Sequence, residues 1–274
     1  MKYDFTTILD RAGHDSLAAD AVPFDVQPDP DVRKIPMWVA DMSFPAAPPI
    51  IEAIEKRLEM PNFGYFSLPD SYFDSIISWQ QRRNGVTKLS REHIGYENGV
   101  LGGVSSAVQA LTAPGEKILV HSPTYVGFTR TMADNGRVLV HSPLVRDENG
   151  VWRMDYADMD AKLKRHHIHL AILCSPHNPC GRVWERDEIE RAMDIYRQHD
   201  CVVISDEIWS DIILPGHKHI PTQSVSEDAR MRTVALYAPS KTFNLAGLVG
   251  SYHIIYNETL RDRVCAVSNK THYN

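Results

Sequence analysis

Residues 169–181 read HLAILCSPHNPCG. Leu170 to Cys174 are apolar at every position, and the run ends abruptly in Ser175-Pro176-His177-Asn178-Pro179. A short, largely apolar stretch closed by a proline-rich turn reads as a strand, His169 to Cys174. Because its apolar residues do not alternate with polar ones, both of its faces are covered, as in a parallel sheet between two helical layers. The same pattern recurs at Lys117 to His121, Arg137 to His141, Cys201 to Ser205, Thr233 to Tyr237 and Gly250 to Tyr256. Helix-period segments lie between and before these runs. Pro48 to Met60 starts on prolines and places Ile50, Ile51, Ile54 and Leu58 along one face; Tyr72 to Arg83 stops at Asn84-Gly85; Gly102 to Leu111 is a third helix. Strands alternating with helices make βαβ units, so the fold class is α/β with a mainly parallel sheet in three layers.

At 274 residues the chain can form one large domain, or a large one with part of a second. It is 43% hydrophobic and 23% charged, ordinary for a globular protein. No apolar run approaches the ~20 residues of a bilayer crossing. The start, MKYDFTTILDRAGHDS, has no apolar core of a signal peptide, so the expected location is the cytoplasm, with no membrane partner. A net charge of −6 leaves no basic footprint for nucleic acid. Cys174, Cys180, Cys201 and Cys265 show no CxxC pairing and read as reduced, buried thiols. The run Arg165-His166-His167-Ile168-His169 reads as solvated surface, and no metal site is expected.

In parallel α/β sheets ligands gather at the carboxyl ends of strands. Five features stand there. Asn178 is presented by the proline turn after the strand ending at Cys174. Asp206-Glu207 follows Cys201 to Ser205; a carboxylate in that place needs a cationic partner, or else caps the next helix. Lys241, flanked by Ser240 and Thr242, follows Thr233 to Tyr237, and a lysine held in a pocket can lose its proton and form a Schiff base with a carbonyl. Asn98-Gly99-Val100-Leu101-Gly102-Gly103 turns a strand-like segment into a helix, where backbone N–H groups can meet a phosphate. Its spacing is neither that of a dinucleotide fingerprint nor of a P-loop. Tyr125, in His121-Ser122-Pro123-Thr124-Tyr125, can stack on a planar ligand or simply pack. One ligand satisfies all five: a flat ring with a phosphate, an aldehyde for Lys241 and a ring nitrogen for Asp206, which is pyridoxal 5′-phosphate.

With these residues in place the chain resembles the class I/II aminotransferase superfamily of fold type I pyridoxal-phosphate enzymes, and within it the cystathionine β-lyase branch of MalY/PatB-type C–S lyases. The resemblance rests on Trp38-Val39-Ala40-Asp41-Met42, Phe63-Gly64-Tyr65, Asn98-Gly99-Val100, His121 to Tyr125, Cys174 to Pro179, Ser205-Asp206-Glu207-Ile208 and Ala238 to Leu248. It implies an aspartate aminotransferase-like large domain at 46–257, preceded by an N-terminal segment at 1–45 that belongs partly to a small domain and the substrate side. It implies that Lys241 anchors the cofactor covalently, Asp206 pairs with the pyridine nitrogen, Asn178 bonds the 3′ oxygen and Tyr125 stacks on the ring. The backbone of Val100, Leu101 and Gly102, with Ser240, holds the phosphate. Tyr65 is implied to reach the phosphate of a neighbouring subunit, hence a homodimer. Trp209 stands where many relatives carry tyrosine or histidine; its indole donates a hydrogen bond but moves no proton.

The implied reaction is α,β-elimination from cystathionine or another cysteine S-conjugate, giving pyruvate, ammonia and a thiol. The alternatives are an aminotransferase, which uses the same lysine, aspartate and asparagine, and a truncated cofactor-binding protein with a regulatory role or no catalytic one. Relatives are expected to continue for on the order of 100 residues past this point, forming most of a small domain with an arginine that clamps the substrate carboxylate. Residues 258–274 are expected to begin the inter-domain helix, and the 274-residue chain alone is expected to turn over weakly or not at all.

Overall fold

A computed structural model describes residues 3–23, 29, 31–32 and 35–271. Among the described residues nine strands are present: β1 Ile94–Glu97, β2 Lys117–Ser122, β3 Val138–Pro143, β4 Val145–Arg146, β5 Trp152–Arg153, β6 Leu170–Cys174, β7 Val202–Asp206, β8 Thr233–Tyr237 and β9 Ser251–Ile254. The α-helices are α1 Leu17–Asp20, α2 Pro48–Leu58, α3 Asp70–Asn84, α4 Val100–Leu111, α5 Val126–Asp134, α6 Tyr156–His166, α7 Arg186–Gln198, α8 Glu227–Arg232, α9 Pro239–Thr242 and α10 Glu258–Thr271. The six strands expected from sequence are all present, with ends moved by up to two residues.

The chain divides into two compact units, Met1–Tyr65 with Pro239–Leu248, and Phe66–Ala238 with Val249–Asn274. The larger unit holds a seven-stranded sheet in the order β1-β9-β8-β7-β6-β2-β3. β3, β2, β6, β7 and β8 run parallel. β9 is antiparallel to both β8 and β1, so the sheet is mainly parallel with a reversed edge.

The unbroken apolar strands serve two cores. Side chains alternate across a strand, so Ile118, Val120, Leu170, Ile172 and Cys174 join α4, α5 and α10 on one face. Their neighbours Leu119, Ala171, Leu173 and Val203 join α6 and α7 on the other. A third cluster packs Phe73 and Ile76 of α3 against Ile94, Tyr237, Tyr252 and Ile254 at the reversed edge. Most of these side chains are fully buried; truncating one such leucine or isoleucine to alanine costs about 2–5 kcal/mol.

In the smaller unit α2 begins on two prolines and ends with Lys56 and Arg57, as a helix dipole favours, but none of its residues is buried. Around α9, the Asn244 side chain accepts from Met42 N–H at 3.0 Å and donates to Met42 O at 3.2 Å. Two sequence expectations need correction. Cys174 and Cys201 are buried, but Cys180 and Cys265 are partly exposed. The chain after Asp206-Glu207 makes a turn and not a helix, so neither carboxylate is a helix cap. Among the described residues no helix is long and apolar enough to cross a membrane, and no cluster of histidine, cysteine and carboxylates converges as metal ligands.

Candidate active site

The order of the sheet reverses direction between β2 and β6: β3 continues the sheet on the far side of β2, and β7 and β8 continue it beyond β6. A crevice opens at such a switch point, above the carboxyl ends of the strands. Tyr125 follows β2 and Asn178 follows β6, so the two flank that point; Asp206 closes β7 one strand further along.

Asp206 is 4% exposed. It lies opposite Cys174 of β6 and Leu236 of β8, and its Oδ1 accepts the Ile208 N–H at 3.1 Å. Its charge is felt nearby. Burial raises the Tyr125 phenol above its usual range, and the Asp206 carboxylate adds to the shift. Burial, then Asp206, push the Cys174 thiol well up, so it stays a neutral packing group.

Asn178 is held on a pinned turn. His177 N–H donates to Arg182 O at 2.7 Å, Gly181 N–H to His177 O at 2.8 Å, and Asn178 N–H to Cys174 Sγ at 3.5 Å. His177 Nε2 reaches across to Pro123 O at 2.9 Å, tying this turn to the one that carries Tyr125. Burial holds His177 below the usual imidazole range and, with the nearby His177, takes His121 down to about 3. Both histidines are therefore neutral scaffolding for the loops above them. The proline-rich stretch announced a rigid turn, but the role of His177 was not visible in the sequence.

The Tyr125 ring folds back over Gly127: a Cβ at that glycine would lie 2.3 Å from Tyr125 Cε1 and 2.9 Å from Leu101 Cδ1. The missing side chain thus lets Tyr125 lie against the start of α4. There the N-cap is Gly99, with no side chain capping the helix. The N–H groups of Val100, Leu101 and Gly102 fall in the first turn, which leaves them without intrahelical acceptors at the positive end of the helix. Trp209 and Asn178 share the wall of a groove of about 520 Å³, with Pro176, Arg182, Leu214 and His217.

The larger unit therefore brings together Asp206, Asn178, Tyr125, Trp209 and the Val100–Gly102 turn. Lys241, Ser240 and Tyr65 belong to the smaller unit. Lys241 lies in α9, and its Nζ donates to Ala40 O at 3.2 Å, linking it to the Trp38–Met42 stretch of the same unit. Tyr65 is 89% exposed.

Glu207, beside Asp206, has a separate structural role that the sequence does not distinguish. It is fully buried and accepts from Ser205 Oγ at 2.9 Å, Thr222 N–H at 3.0 Å, His219 Nε2 at 2.7 Å and Tyr237 OH at 2.5 Å. Burial opposes its charge, but His219, Tyr237 and the Thr222 N–H outweigh burial and hold the carboxyl below its ordinary range. It fixes the backbone on which Asp206 is carried.

The sequence model of aminotransferase class I and II matches residues 34–273. The chain is 41% identical over 232 residues to cystathionine beta-lyase PatB of Bacillus subtilis, covering 85% of this chain and 59% of PatB. It is 33% identical over 261 residues to protein MalY of Escherichia coli, covering 95% of this chain and 65% of MalY. The PLP-bound C–S lyase from Staphylococcus hominis superposes with a TM-score of 0.89 at 31% identity, over 100% of this chain and 67% of that one. The chain thus spans roughly three fifths to two thirds of the length of these relatives. The matched span, together with a parallel sheet carrying Tyr125, Asn178 and Asp206 at its strand ends, places the chain in the aminotransferase class I and II family.

Proposed function

We propose that the chain supplies the cofactor-binding domain, residues 46–257, of a pyridoxal-phosphate-dependent carbon–sulfur lyase that cleaves cysteine S-conjugates such as cystathionine by α,β-elimination. The observation that carries this reading is the buried Asp206 carboxylate at the end of β7, beside Tyr125 and Asn178 and in one unit with the uncapped start of α4. The residues fit the group. A buried carboxylate suits a protonated pyridine nitrogen, an aromatic face suits the ring, and a helix start without a side-chain cap suits a dianionic phosphate. Similarity to PatB and to the Staphylococcus C–S lyase favours elimination within the family.

When bound, pyridoxal phosphate supplies an electron sink for the carbanion formed at the substrate Cα. Asp206 would keep a proton on the ring nitrogen. Asn178 would donate its side-chain N–H to the 3′ oxygen, and the Trp209 indole N–H would be a further donor that moves no proton. Tyr125 covers the ring face. The N–H groups of Val100, Leu101 and Gly102 would hold the phosphate, a role the family resemblance also gives to the Ser240 hydroxyl. Lys241 Nζ would anchor the cofactor covalently and would serve as the general base for the substrate Cα proton. Tyr65, whose ring is exposed in a single chain, would reach the phosphate of a second copy in a homodimer.

Incubation with cystathionine and pyridoxal phosphate, without any keto acid, tests the reaction. Pyruvate release supports elimination, because elimination needs no second substrate. Amino-group transfer that appears only after a keto acid is added refutes the lyase and favours an aminotransferase.

A further inference from the structure

Behind the strand that leads into α4 lies a second constellation, unused by the proposed lyase. Glu97, fully buried at the end of β1, bonds His253 Nδ1 through Oε1 at 2.8 Å. His253, 1% exposed in β9, turns its other nitrogen to Cys265 Sγ of α10 at 3.7 Å. Glu97 Oε2 is held in turn by Ser106 Oγ of α4 at 3.1 Å. The three residues come from separate elements, and the sheet is shaped for them. Gly95 pairs with His253 across the two strands, and a Cβ there would lie 2.3 Å from both Cε1 and Nε2 of the imidazole. Only glycine leaves room for the ring.

We propose that Cys265 is a nucleophilic thiol oxidised by hydroperoxides, with His253 as its proton carrier and Glu97 as the positioning residue that fixes the imidazole. A cysteine beside an imidazole that is itself held by a carboxylate is the arrangement that activates sulfur. Sγ attacks the distal oxygen of the hydroperoxide. The S–O bond forms as the O–O bond breaks, and sulfur is oxidised by two electrons while the peroxide is reduced. Protonated His253 gives its Nε2 proton to the departing oxygen and takes back the proton released from sulfur, leaving a sulfenic acid and an alcohol, or water when the oxidant is hydrogen peroxide. The state of the imidazole agrees with this assignment. Burial pulls it down, but the hydrogen bonds to Cys265 and Glu97 prevail and raise it to about 9. The other partly exposed thiol, Cys180, is raised by burial, only partly offset by Arg146. Cys174 and Cys201 are buried and raised as well.

The test treats the 274-residue chain with hydrogen peroxide and dimedone, and in parallel with iodoacetamide, and reads each cysteine peptide by mass spectrometry. Cys265 is expected to label about tenfold faster than Cys180 with both reagents. In His253→Gln its rate is expected to fall to that of Cys180. Equal rates at Cys265 and Cys180 in the wild type overturn the proposal, as does an unchanged Cys265 rate in a folded His253→Gln protein. Should that variant lose its helical circular dichroism, the wild-type ratio, which needs no substitution, decides alone.

Discussion

Replacing Tyr237 with phenylalanine removes one oxygen from the buried Glu207 network and little else. The ring is 3% exposed and stacks on Tyr252 at 5.5 Å between centroids, a contact that phenylalanine keeps. The deleted hydroxyl donates to Glu207 Oε2 at 2.5 Å, and Glu207 retains Ser205, Thr222 and His219. A hydrogen bond to a charged group contributes about 1.5–3 kcal/mol, and the void left is smaller than a methyl group, so the expected loss is about 2 kcal/mol. At about 2–4 °C per kcal/mol in a chain of this size, the melting temperature should fall by roughly 4–8 °C. Urea unfolding followed by circular dichroism should show a lower midpoint at an unchanged m-value. The pH dependence follows from the sign of the shift. The Glu207 carboxyl is depressed in the folded chain, so its contribution is present above the ordinary carboxylate range and is lost as pH falls through the depressed value. The penalty of Tyr237→Phe should therefore be constant through neutral pH and shrink in acid. A loss below about 0.5 kcal/mol at neutral pH would show that Glu207 is not held as a buried, ionised hub.

His253 has the opposite sign. Raised from 6.5 to about 9, its contribution is complete below 6.5 and disappears as pH rises through about 9. At about 1.4 kcal/mol per unit this is on the order of 3 kcal/mol, absent from His253→Gln, and urea midpoints measured across that interval check it. Gly95→Ala places a Cβ 2.3 Å from the His253 ring and should destabilise by at least the roughly 1–3 kcal/mol of an overpacked core, read by the same unfolding assay. Gly127→Ala displaces the Tyr125 ring and should weaken pyridoxal-phosphate affinity about tenfold while leaving the free energy of urea unfolding within about 1 kcal/mol of the wild type, as equilibrium dialysis and unfolding will show. Asp206→Ala removes the charge that would hold the pyridine proton and should weaken pyridoxal-phosphate affinity at least about tenfold, whereas Asp206→Glu should retain more, by equilibrium dialysis.

The sheet was legible because its inner strands carry unbroken apolar runs, a consequence of their two covered faces. β1 was not, since its four residues include Gly95 and Glu97, which serve His253 more than 150 positions away and carry no local period. The hairpin of β4 and β5 has two residues per strand, too few for any pattern. At the strand ends Asp206, Asn178 and Tyr125 stood out because polar or aromatic groups break an apolar rhythm there. Glu207 did not, since adjacent carboxylates look alike in sequence. Its partners His219, Thr222 and Tyr237 lie 12, 15 and 30 residues further on, and only the fold brings them to it. Cys265 was grouped with the buried thiols because a helix face cannot be told from an interior by composition alone.

The central claim, that Lys241 is the covalent anchor of pyridoxal phosphate, is tested most directly by incubating the chain with the cofactor, reducing with borohydride and locating the added mass by peptide mass spectrometry. The mass is predicted on the peptide containing Lys241, with loss of the visible absorbance band, and neither band nor adduct in Lys241→Ala. An adduct on another lysine, or one that persists in Lys241→Ala, contradicts it.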